Sequence, residues 1–441
     1  MEFEAMTGSD WMLLEFEYPD TPMHTLKMVV VDGAGRGRPV TLDEVAAVVP
    51  RYLDLSPRFT SRAEKRAGRW LWIRQPLRIS DHLDERTLGS PDAFDDLCSA
   101  LSQEQLDRSR PLWAITLVHG LAEGRQAIVV RVHHALMDGS SAQRIFTRVT
   151  NTEPGVPAPL PEPSTLLGPE YRAPLPRRLY DVAGALADVL RQSRRYGPDK
   201  ELIPHGMVRR SQLNQRSAGG RLCAVSELPL ADFRELASLT GTNVNGAVHG
   251  VITRALRARM LADGVQPTEP LVGSFGVIED RSLERYAGNN LATARYWLHV
   301  EEPDPVRAVQ RVGASCAETV LFRRARGFRL QTLGSEFGRF IPPLRNRFVH
   351  LWPLTPIHLL TAYVSGPQEQ RWLGDVEVVS WISIAVSIEL TNVNVVAYTY
   401  AGKVAFGLIT TPESMPDPAG FLRLLGTCLE ELLEVARVRA S

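Results

Sequence analysis

The sequence predicts an α+β fold with two domains, and three observations lead to this prediction. The chain has 441 residues, which is more than one hydrophobic core usually holds. Strand-like and helix-like patterns both occur in each half of the chain. A proline-dense stretch at residues 153–176 separates the halves and is typical of an extended connector. We therefore predict an N-terminal domain at residues 1–152, a linker with an amphipathic helix at 153–205, and a C-terminal domain at 206–441.

The first half is predicted from β-branched runs, which favour strands, and from apolar residues at helical spacing. Its last two strands flank the turn-rich segment Gly120 to Gly124, which favours their antiparallel pairing. The predicted elements are a strand at Met28 to Val31, a helix at Leu42 to Leu53, strands at Trp70 to Ile73, Leu112 to Val118 and Ala127 to Val132, and a helix at Ser140 to Val149.

The second half repeats this mixture of strands and helices. After the connector, Leu179 to Tyr196 has apolar residues on one face and arginines at its end, which predicts an amphipathic helix. A hairpin is predicted through Ala401 to Lys403. The other predicted elements are helices at Ala231 to Leu239, Gly246 to Leu261 and Pro418 to Ala436, and strands at Leu291 to Val300, Val378 to Ile388, Val393 to Tyr400 and Val404 to Ile409.

Composition excludes several classes of protein. Lysine and arginine number 50, as do aspartate and glutamate, so the chain has no basic field for nucleic acid and we expect no such partner. The four cysteines are far apart and have no metal-binding spacing, which predicts buried thiols in a reducing compartment. The N-terminus lacks a secretory signal, and prolines interrupt the longest uncharged stretch, Phe348 to Gln368. These features predict a cytoplasmic protein, either soluble or peripherally attached to a membrane or lipid droplet.

The segment His133 to Gly139, with the sequence HHALMDG, carries the strongest chemical signal and directly follows a predicted strand. Side chains alternate along a strand, so the two histidines are expected to face opposite sides, one of them toward a cleft. Gly139 is expected to take a turn conformation with positive φ that lets Asp138 pair with a cation or a backbone amide. Histidine suits base catalysis because its ordinary pKa lies close to neutral pH. The alternatives are an ordinary strand-end histidine and a metal fragment, for which no third ligand lies at typical spacing.

This segment resembles the signature of the two-domain CoA-dependent acyltransferase superfamily, which includes chloramphenicol acetyltransferase, plant alcohol acyltransferases and condensation domains of peptide synthetases. Over nearly its whole length, the chain resembles more narrowly the bacterial wax ester synthase/diacylglycerol acyltransferase family. The other matching motifs are, in order, Ser9-Asp10, Thr21 to His24, Leu106 to Trp113, Ser211 to Asn214, Asn243 to Asn245, Gly288-Asn289, Gly366-Pro367, Tyr400 to Lys403 and Phe406 to Leu408. Ala114, Gly246 and Ser365 depart from the family pattern. These departures leave His134 intact, so we expect activity.

The resemblance implies an α/β sandwich of two chloramphenicol-acetyltransferase-like domains with mixed sheets and an active-site tunnel between them. It implies that His134 takes the proton of a hydroxyl acceptor while the oxygen attacks the thioester of acyl-CoA, and that Asp138 orients the loop. Asn245 has two interpretations, as a donor to the oxyanion or as the N-cap of the following helix. The residues implied to support the site are His133, Gly139 and Trp113. Acyl-CoA is a cosubstrate, and no metal or other cofactor is expected.

The partners implied are acyl-CoA and a hydroxyl acceptor, namely a long-chain alcohol, a diacylglycerol or a specialised-metabolite alcohol. The stretch Phe322 to Trp352 interleaves arginines with aromatic residues. This pattern fits contact with anionic lipid, a solvated or inter-domain face, or a grip on CoA phosphates. Two alternative functions are a condensation-type acyltransferase with a carrier-bound acyl donor and a non-catalytic lipid-binding relative. Intact His134 and Asp138 argue against the second.

Overall fold

A computed structural model of the chain describes residues 3–156, 201–278, 285–289, 291–326 and 354–441, together with residues 183, 184, 187 and 190. Strands and helices alternate along these residues. The strands are β1 (Phe3–Ala5), β2 (His24–Asp32), β3 (Ser61–Arg66), β4 (Arg69–Arg74), β5 (Leu83–Thr87), β6 (Trp113–His119), β7 (Gln126–His133), β8 (Val208–Arg209), β9 (Leu222–Pro229), β10 (Leu271–Ile278), β11 (Leu291–Leu298), β12 (Leu354–Thr355), β13 (Leu359–Ser365), β14 (Arg371–Leu373), β15 (Val376–Ile384), β16 (Asn394–Tyr400) and β17 (Lys403–Thr410). The helices are α1 (Gly8–Glu15), α2 (Leu42–Leu53), α3 (Phe94–Gln103), α4 (Gly139–Val149), α5 (Leu230–Thr240), α6 (Val244–Ala262), α7 (Pro305–Arg326) and α8 (Pro418–Ala440).

One six-stranded sheet, which we call the N-terminal sheet, has the order β14-β15-β2-β7-β6-β5. Its neighbouring strands are antiparallel except β5 and β6, which are parallel. The predicted antiparallel pair β6 and β7 is confirmed, with Trp113 opposite Val132. The sequence predicts the β15 strand as part of the C-terminal domain, and the pairing corrects this. Strand β15 runs beside β2, from Glu377 opposite Asp32 to Ile384 opposite Leu26, because its apolar residues complete the core of the N-terminal sheet.

The second six-stranded sheet, which we call the C-terminal sheet, has the order β11-β10-β13-β16-β17-β9. Strand β13 is parallel to both of its neighbours, and the other pairs are antiparallel. The predicted hairpin is confirmed: Ala401 and Gly402 form the two-residue turn between β16 and β17, with φ of 43° and 79°. Helices α5, α6 and α8 pack on this sheet in one continuous core.

The two sheets meet through β15, β16 and β17. Gly407 on β17 lies so close to β15 that a Cβ atom there would be 2.1 Å from the carbonyl oxygen of Ser383. Tyr398 on β16 packs into the core of the N-terminal sheet. On the edge strand β9, the backbone N–H of Val225 donates to Asp95 on α3 at 3.1 Å. Tyr398 Oη also donates to the carbonyl oxygen of Gly139 at 3.3 Å, so the histidine segment after β7 lies beside this junction of both halves of the chain.

Several predictions fall outside the described residues. These are the connector from residue 157 on, most of the helix predicted at Leu179 to Tyr196, and residues 327–353 of the basic stretch. Helix α7 is missing from the prediction because the face it buries includes Ser315 and Thr319, which weaken an apolar pattern. The four cysteines are buried free thiols, as predicted. Among the described residues, no helix combines the length and the apolar character needed to cross a membrane.

Candidate active site

The two histidines of the motif face different partners. The ring of His133 is fully buried; its Nδ1 accepts the backbone N–H of Ala135 at 3.0 Å, and its Nε2 lies 3.6 Å from Glu17 Oε1. The His134 ring points instead to Asn289 and is partly exposed. The prediction that the two rings face opposite sides is confirmed. His133 therefore has the contacts of a structural residue, whereas His134 is accessible.

Asn289 determines which nitrogen of His134 carries the proton. Its amide Nδ2 donates to Asp10 Oδ1 at 2.9 Å and to the carbonyl oxygen of His134 at 2.8 Å, two groups that only accept. The side-chain oxygen of Asn289 must therefore be the atom that lies 3.1 Å from His134 Nδ1, and Nδ1 donates to it. In the neutral ring, Nε2 keeps its lone pair and has no hydrogen-bond partner among the described residues.

A buried ion-pair chain holds Asn289. The backbone N–H of Asn289 donates to Asp10 Oδ1 at 3.1 Å, and the other oxygen of Asp10 accepts from Arg58 Nη1 at 2.9 Å. Arg58 also pairs with Glu4 Oε1 at 2.6 Å. Asp10 is 0% exposed and Arg58 4% exposed. Because breaking a buried pair costs about 3–5 kcal/mol, this chain fixes Asn289, and through it the His134 ring.

Asp138 fixes the motif loop through a cation and a backbone amide, as its sequence position predicts. Its Oδ1 accepts the backbone N–H of Ser141 at 2.9 Å, which makes it the N-cap of α4, and the hydroxyl of Ser140 at 2.8 Å. Its Oδ2 pairs with Arg285 Nη2 at 3.0 Å. The carboxylate thus joins the motif to a segment from the other half of the chain.

The conformation expected for Gly139 is wrong. Its φ is not positive, because it is the first residue of α4. Glycine is needed there for close approach: a Cβ atom would lie 2.9 Å from Tyr398 Oη, which donates to the Gly139 carbonyl at 3.3 Å. The left-handed glycine of the site is Gly288, with φ of 79°, where a Cβ atom would lie 2.7 Å from Arg58 Nη1.

Residues 285–289 hold the motif loop through backbone contacts as well. The N–H of Gly288 donates to Leu136 O at 2.7 Å, and the N–H of Asp138 donates to Gly288 O at 3.3 Å. Arg285 and Asn289 add their side-chain contacts at the two ends of this segment. Gly288-Asn289 resembles a motif of the family, but the sequence alone indicates no role for it. The contact with His134 spans 155 residues of chain, so no local pattern reveals it.

Burial and neighbouring charges set the protonation of the site. Burial lowers the pKa of His134, and the charge of Lys27 adds to this effect while Asp138 opposes it, so the ring is neutral at pH 7. Burial raises the pKa of Glu17, but contacts with His133 and Arg108 outweigh it and lower that pKa to about 2. His134 is therefore able to accept a proton at Nε2.

Two other predicted site residues, Trp113 and Asn245, make their described contacts away from the His134 ring. Trp113 is buried, its Nε1 donates to Phe59 O at 2.8 Å, and its ring stacks on His82 with centroids 4.1 Å apart. Asn245 lies in the first turn of α6, whose N-cap is Asn243, so the interpretation of Asn245 as the N-cap is wrong. The carbonyl of Asn245 accepts from His249 Nδ1 at 2.7 Å. Among the described residues, no contact joins Asn245 to the His134 ring.

An apolar cavity of about 100 Å³ adjoins the motif, between the N-terminal sheet and helices α2 and α4. Met137 of the motif, Trp113 and Phe146 line it. In the part of the chain that the structure describes, no group of three or more His, Cys, Asp or Glu side chains could hold a metal ion.

Comparison with known proteins reveals the family. Residues 6–248 match the catalytic domain of the wax ester synthase/diacylglycerol acyltransferase family, and residues 287–433 match its C-terminal domain. Two Mycobacterium tuberculosis proteins of strain H37Rv, whose names describe them as diacylglycerol O-acyltransferases, are similar over most of their length. One is 26% identical, and the match covers 94% of this chain and 92% of the relative's length. The other is 24% identical, and the match covers 98% of this chain and 90% of the relative's length.

Solved structures share the fold. The wax ester synthase/diacylglycerol acyltransferase from Marinobacter aquaeolei VT8 superposes with a TM-score of 0.69 at 22% identity, over 98% of this chain and 100% of its own. The first condensation domain of the calcium-dependent antibiotic synthetase gives a TM-score of 0.62 at 15% identity, over 99% of this chain and 96% of its own. The predicted two-domain α+β fold with mixed sheets is confirmed. Since the catalytic-domain match alone spans more than half of the chain, the protein belongs to the wax ester synthase/diacylglycerol acyltransferase family.

Proposed function

We propose that His134 is the general base with which this protein transfers an acyl group from acyl-CoA to a hydroxyl acceptor. The family consists of acyl-CoA-dependent O-acyltransferases, and this chain is an enzyme of that class. The observation that supports the choice of His134 is its 3.1 Å contact from Nδ1 to Asn289 Oδ1, which leaves Nε2 free to take a proton.

The proposed reaction uses His134 Nε2 for two proton transfers. Nε2 takes the proton of the acceptor hydroxyl as the oxygen attacks the carbonyl carbon of the thioester. The C–S bond then breaks, and the protonated ring returns the proton to the departing CoA thiolate. Such proton transfer contributes about 10²–10⁴-fold to the rate. Positioning of the substrates and stabilisation of the oxyanion supply the rest.

The other residues of the site are proposed to act through His134. Asn289 is a positioning residue, because its oxygen holds Nδ1 and thereby aims Nε2. Asp138 keeps the loop in place through α4 and Arg285. His133 anchors the start of the loop, and Trp113 and Gly139 support its packing. Asn245 keeps the oxyanion role as a prediction based on its family position.

The acceptor is proposed to be a lipid-like hydroxyl, either a long-chain alcohol, a diacylglycerol or a specialised-metabolite alcohol. The names of the relatives support this class of substrate.

We also propose the domain bounds 1–152, 153–205 and 206–441, with β14 and β15 exchanged into the N-terminal sheet. Peripheral contact with anionic lipid is proposed from the basic and aromatic residues of Phe322 to Trp352, and the cytoplasmic location stays a prediction.

Product analysis tests the proposed function. Purified protein is incubated with a mixture of acyl-CoAs and a panel of alcohols and diacylglycerols, and both free CoA thiol and ester are quantified. In the wild type, we expect one ester to form for each CoA thiol released. His119→Ala is the control, because it removes a histidine at the end of β6, beside Glu85, and it should give the same amounts of both products as the wild type. His134→Ala should form both products about 10²–10⁴-fold more slowly. Thiol release without ester, or ester formed at the wild-type rate by His134→Ala, would contradict the proposal.

A further inference from the structure

The apolar cavity beside the motif has one charged side chain in its wall. It lies between the N-terminal sheet on one side and α2 and α4 on the other, and Met137 and Ala142 connect it to the loop that carries His134. Aromatic residues including Trp113 and Trp381 form much of the rest of the wall. Among the described residues that line the cavity, Lys27 alone carries a charge.

Lys27 on β2 has no acidic partner at ion-pair distance among the described residues. Its Nζ donates to Ser383 Oγ at 2.6 Å and lies 5.6 Å from the centre of the Tyr398 ring. Asp138 attracts it electrostatically but is already paired with Arg285. Lys27 lies deep in the protein, is partly exposed, and is one of the residues that line the cavity.

A cation in such a cavity is missing a partner. An ammonium group in apolar surroundings costs free energy unless an anion and hydrogen bonds offset the loss of water. Burial lowers the pKa of Lys27 to about 8, so most of the amine is still charged at pH 7. One hydroxyl and the face of one aromatic ring offset only part of the cost. A ligand that brings a carboxylate into the cavity supplies the missing anion.

The volume of the cavity limits the ligand. An apolar cavity of about 150 Å³ holds a benzene molecule. A cavity of about 100 Å³ therefore holds roughly four carbon-sized atoms. The lining is apolar apart from Lys27, so it suits methylene groups next to a terminal carboxylate.

We propose that this cavity binds the end of a substrate chain in which a few methylene groups lead to a carboxylate, and that Lys27 selects this carboxylate. The inference rests on the proposed function, because it places the chain on a substrate of the reaction at His134. Two sources share this chemistry: the acyl group of a dicarboxylic thioester, and an acceptor that is a hydroxy acid. In both, the carboxylate is the feature that Lys27 recognises.

Two substrate pairs of matched length distinguish the sources. Glutaryl-CoA is compared with pentanoyl-CoA at one acceptor, and 6-hydroxyhexanoate is compared with 1-hexanol at one thioester. We expect the wild type to prefer the carboxylate in one pair by at least about tenfold in kcat/KM, and Lys27→Met to bring that ratio close to one. Methionine matches lysine in length and suits an apolar wall, so the fold should persist. A wild-type ratio of one or less in both pairs, or a preference that Lys27→Met leaves unchanged, overturns the proposal.

A binding measurement separates failure of this inference from failure of the proposed function. Isothermal titration calorimetry measures the binding of propanoate and 1-propanol, which are short enough for the cavity, without any turnover. The wild type should bind propanoate at least about tenfold more tightly than 1-propanol. Ser383→Ala, which keeps the cation, should retain this preference, and Lys27→Met should lose it. Selective binding without any ester formation would support the cavity and refute the reaction, whereas ester formation with equal binding of both ligands would refute the cavity alone.

Discussion

Asn289→Ala separates the positioning of the His134 ring from the chemistry of the ring itself. The substitution removes three side-chain hydrogen bonds, at 3.1 Å to His134 Nδ1, 2.8 Å to His134 O and 2.9 Å to Asp10 Oδ1. At about 0.5–1.5 kcal/mol for each bond, the free energy of unfolding should fall by about 1.5–4.5 kcal/mol. The Asp10–Arg58 pair stays in place, so the fold should survive this loss.

The same substitution should lower kcat more than it changes the KM for acyl-CoA. Without the Asn289 oxygen, the His134 ring can turn and can exchange the proton between its nitrogens. Nε2 is then unprotonated and aimed at the acceptor for only part of the time. Fixing a catalytic histidine in the wrong tautomer costs about 10⁴-fold in kcat. Loss of its orientation alone should cost less, and we expect about 10–10³-fold.

Thiol release measured over a range of acyl-CoA concentrations gives kcat and KM, and thermal unfolding gives the change in stability. Gln126→Ala is the matched control, because it removes a buried amide with two backbone hydrogen bonds to Val40 at the start of β7, the end of the strand opposite to His134. The control should lose about 1–3 kcal/mol of stability and keep its kcat. An Asn289→Ala variant with wild-type kcat, whatever its stability, would refute the assignment of Asn289 as the residue that orients His134.

Three further predictions concern the loop, the lipid surface and the acyl donor. Asp138→Ala should lower the free energy of unfolding by about 4–6 kcal/mol, because a helix cap worth about 1 kcal/mol and a buried ion pair worth about 3–5 kcal/mol are both lost. Asp417→Ala, which removes the exposed cap of α8 and an exposed pair with Arg423 at 4.0 Å, should cost about 1 kcal/mol in the same melting assay. Sedimentation with anionic vesicles should show binding that weakens as salt is added, and no binding at low salt would remove the basis for assigning Phe322 to Trp352 to lipid. In competition at equal concentrations, acyl-CoA should be preferred to the matching acyl-carrier protein, and a carrier preference above about tenfold, roughly 1.4 kcal/mol, would favour the condensation-type alternative.

Local patterns in the sequence predict much of the fold. The helix Leu42–Leu53 and the β6–β7 pair occur where apolar spacing and turn residues place them. Strand β15 shows the limit of such patterns: its apolar residues predict a strand, but chain order assigns it to the wrong sheet. Which sheet it joins depends on packing between distant segments, which no local pattern contains.

For the candidate site as well, local patterns predict some features and miss those that depend on tertiary structure. The motif and its spacing predict that His133 and His134 diverge and that Asp138 holds the loop, and both contacts are local to the end of β7 and the start of α4. Asn289 reaches His134 only through tertiary structure, so its role has no sequence signal beyond the Gly288-Asn289 match. Gly139 shows that a correct residue can be explained by the wrong cause, since the approach of Tyr398, rather than a positive φ, demands glycine there.

Chemical rescue of His134→Gly tests the role of His134 most directly. This variant leaves a space where the ring was and keeps the Asn289 chain that orients it. We predict that ester formation falls by about 10²–10⁴-fold, the usual contribution of a general base, and that added imidazole restores part of it in proportion to its unprotonated fraction. Pyrrole, which has a similar shape and no basic nitrogen, should restore none. Wild-type ester formation by His134→Gly, or equal rescue by pyrrole and imidazole, would contradict the assignment of His134 as the base.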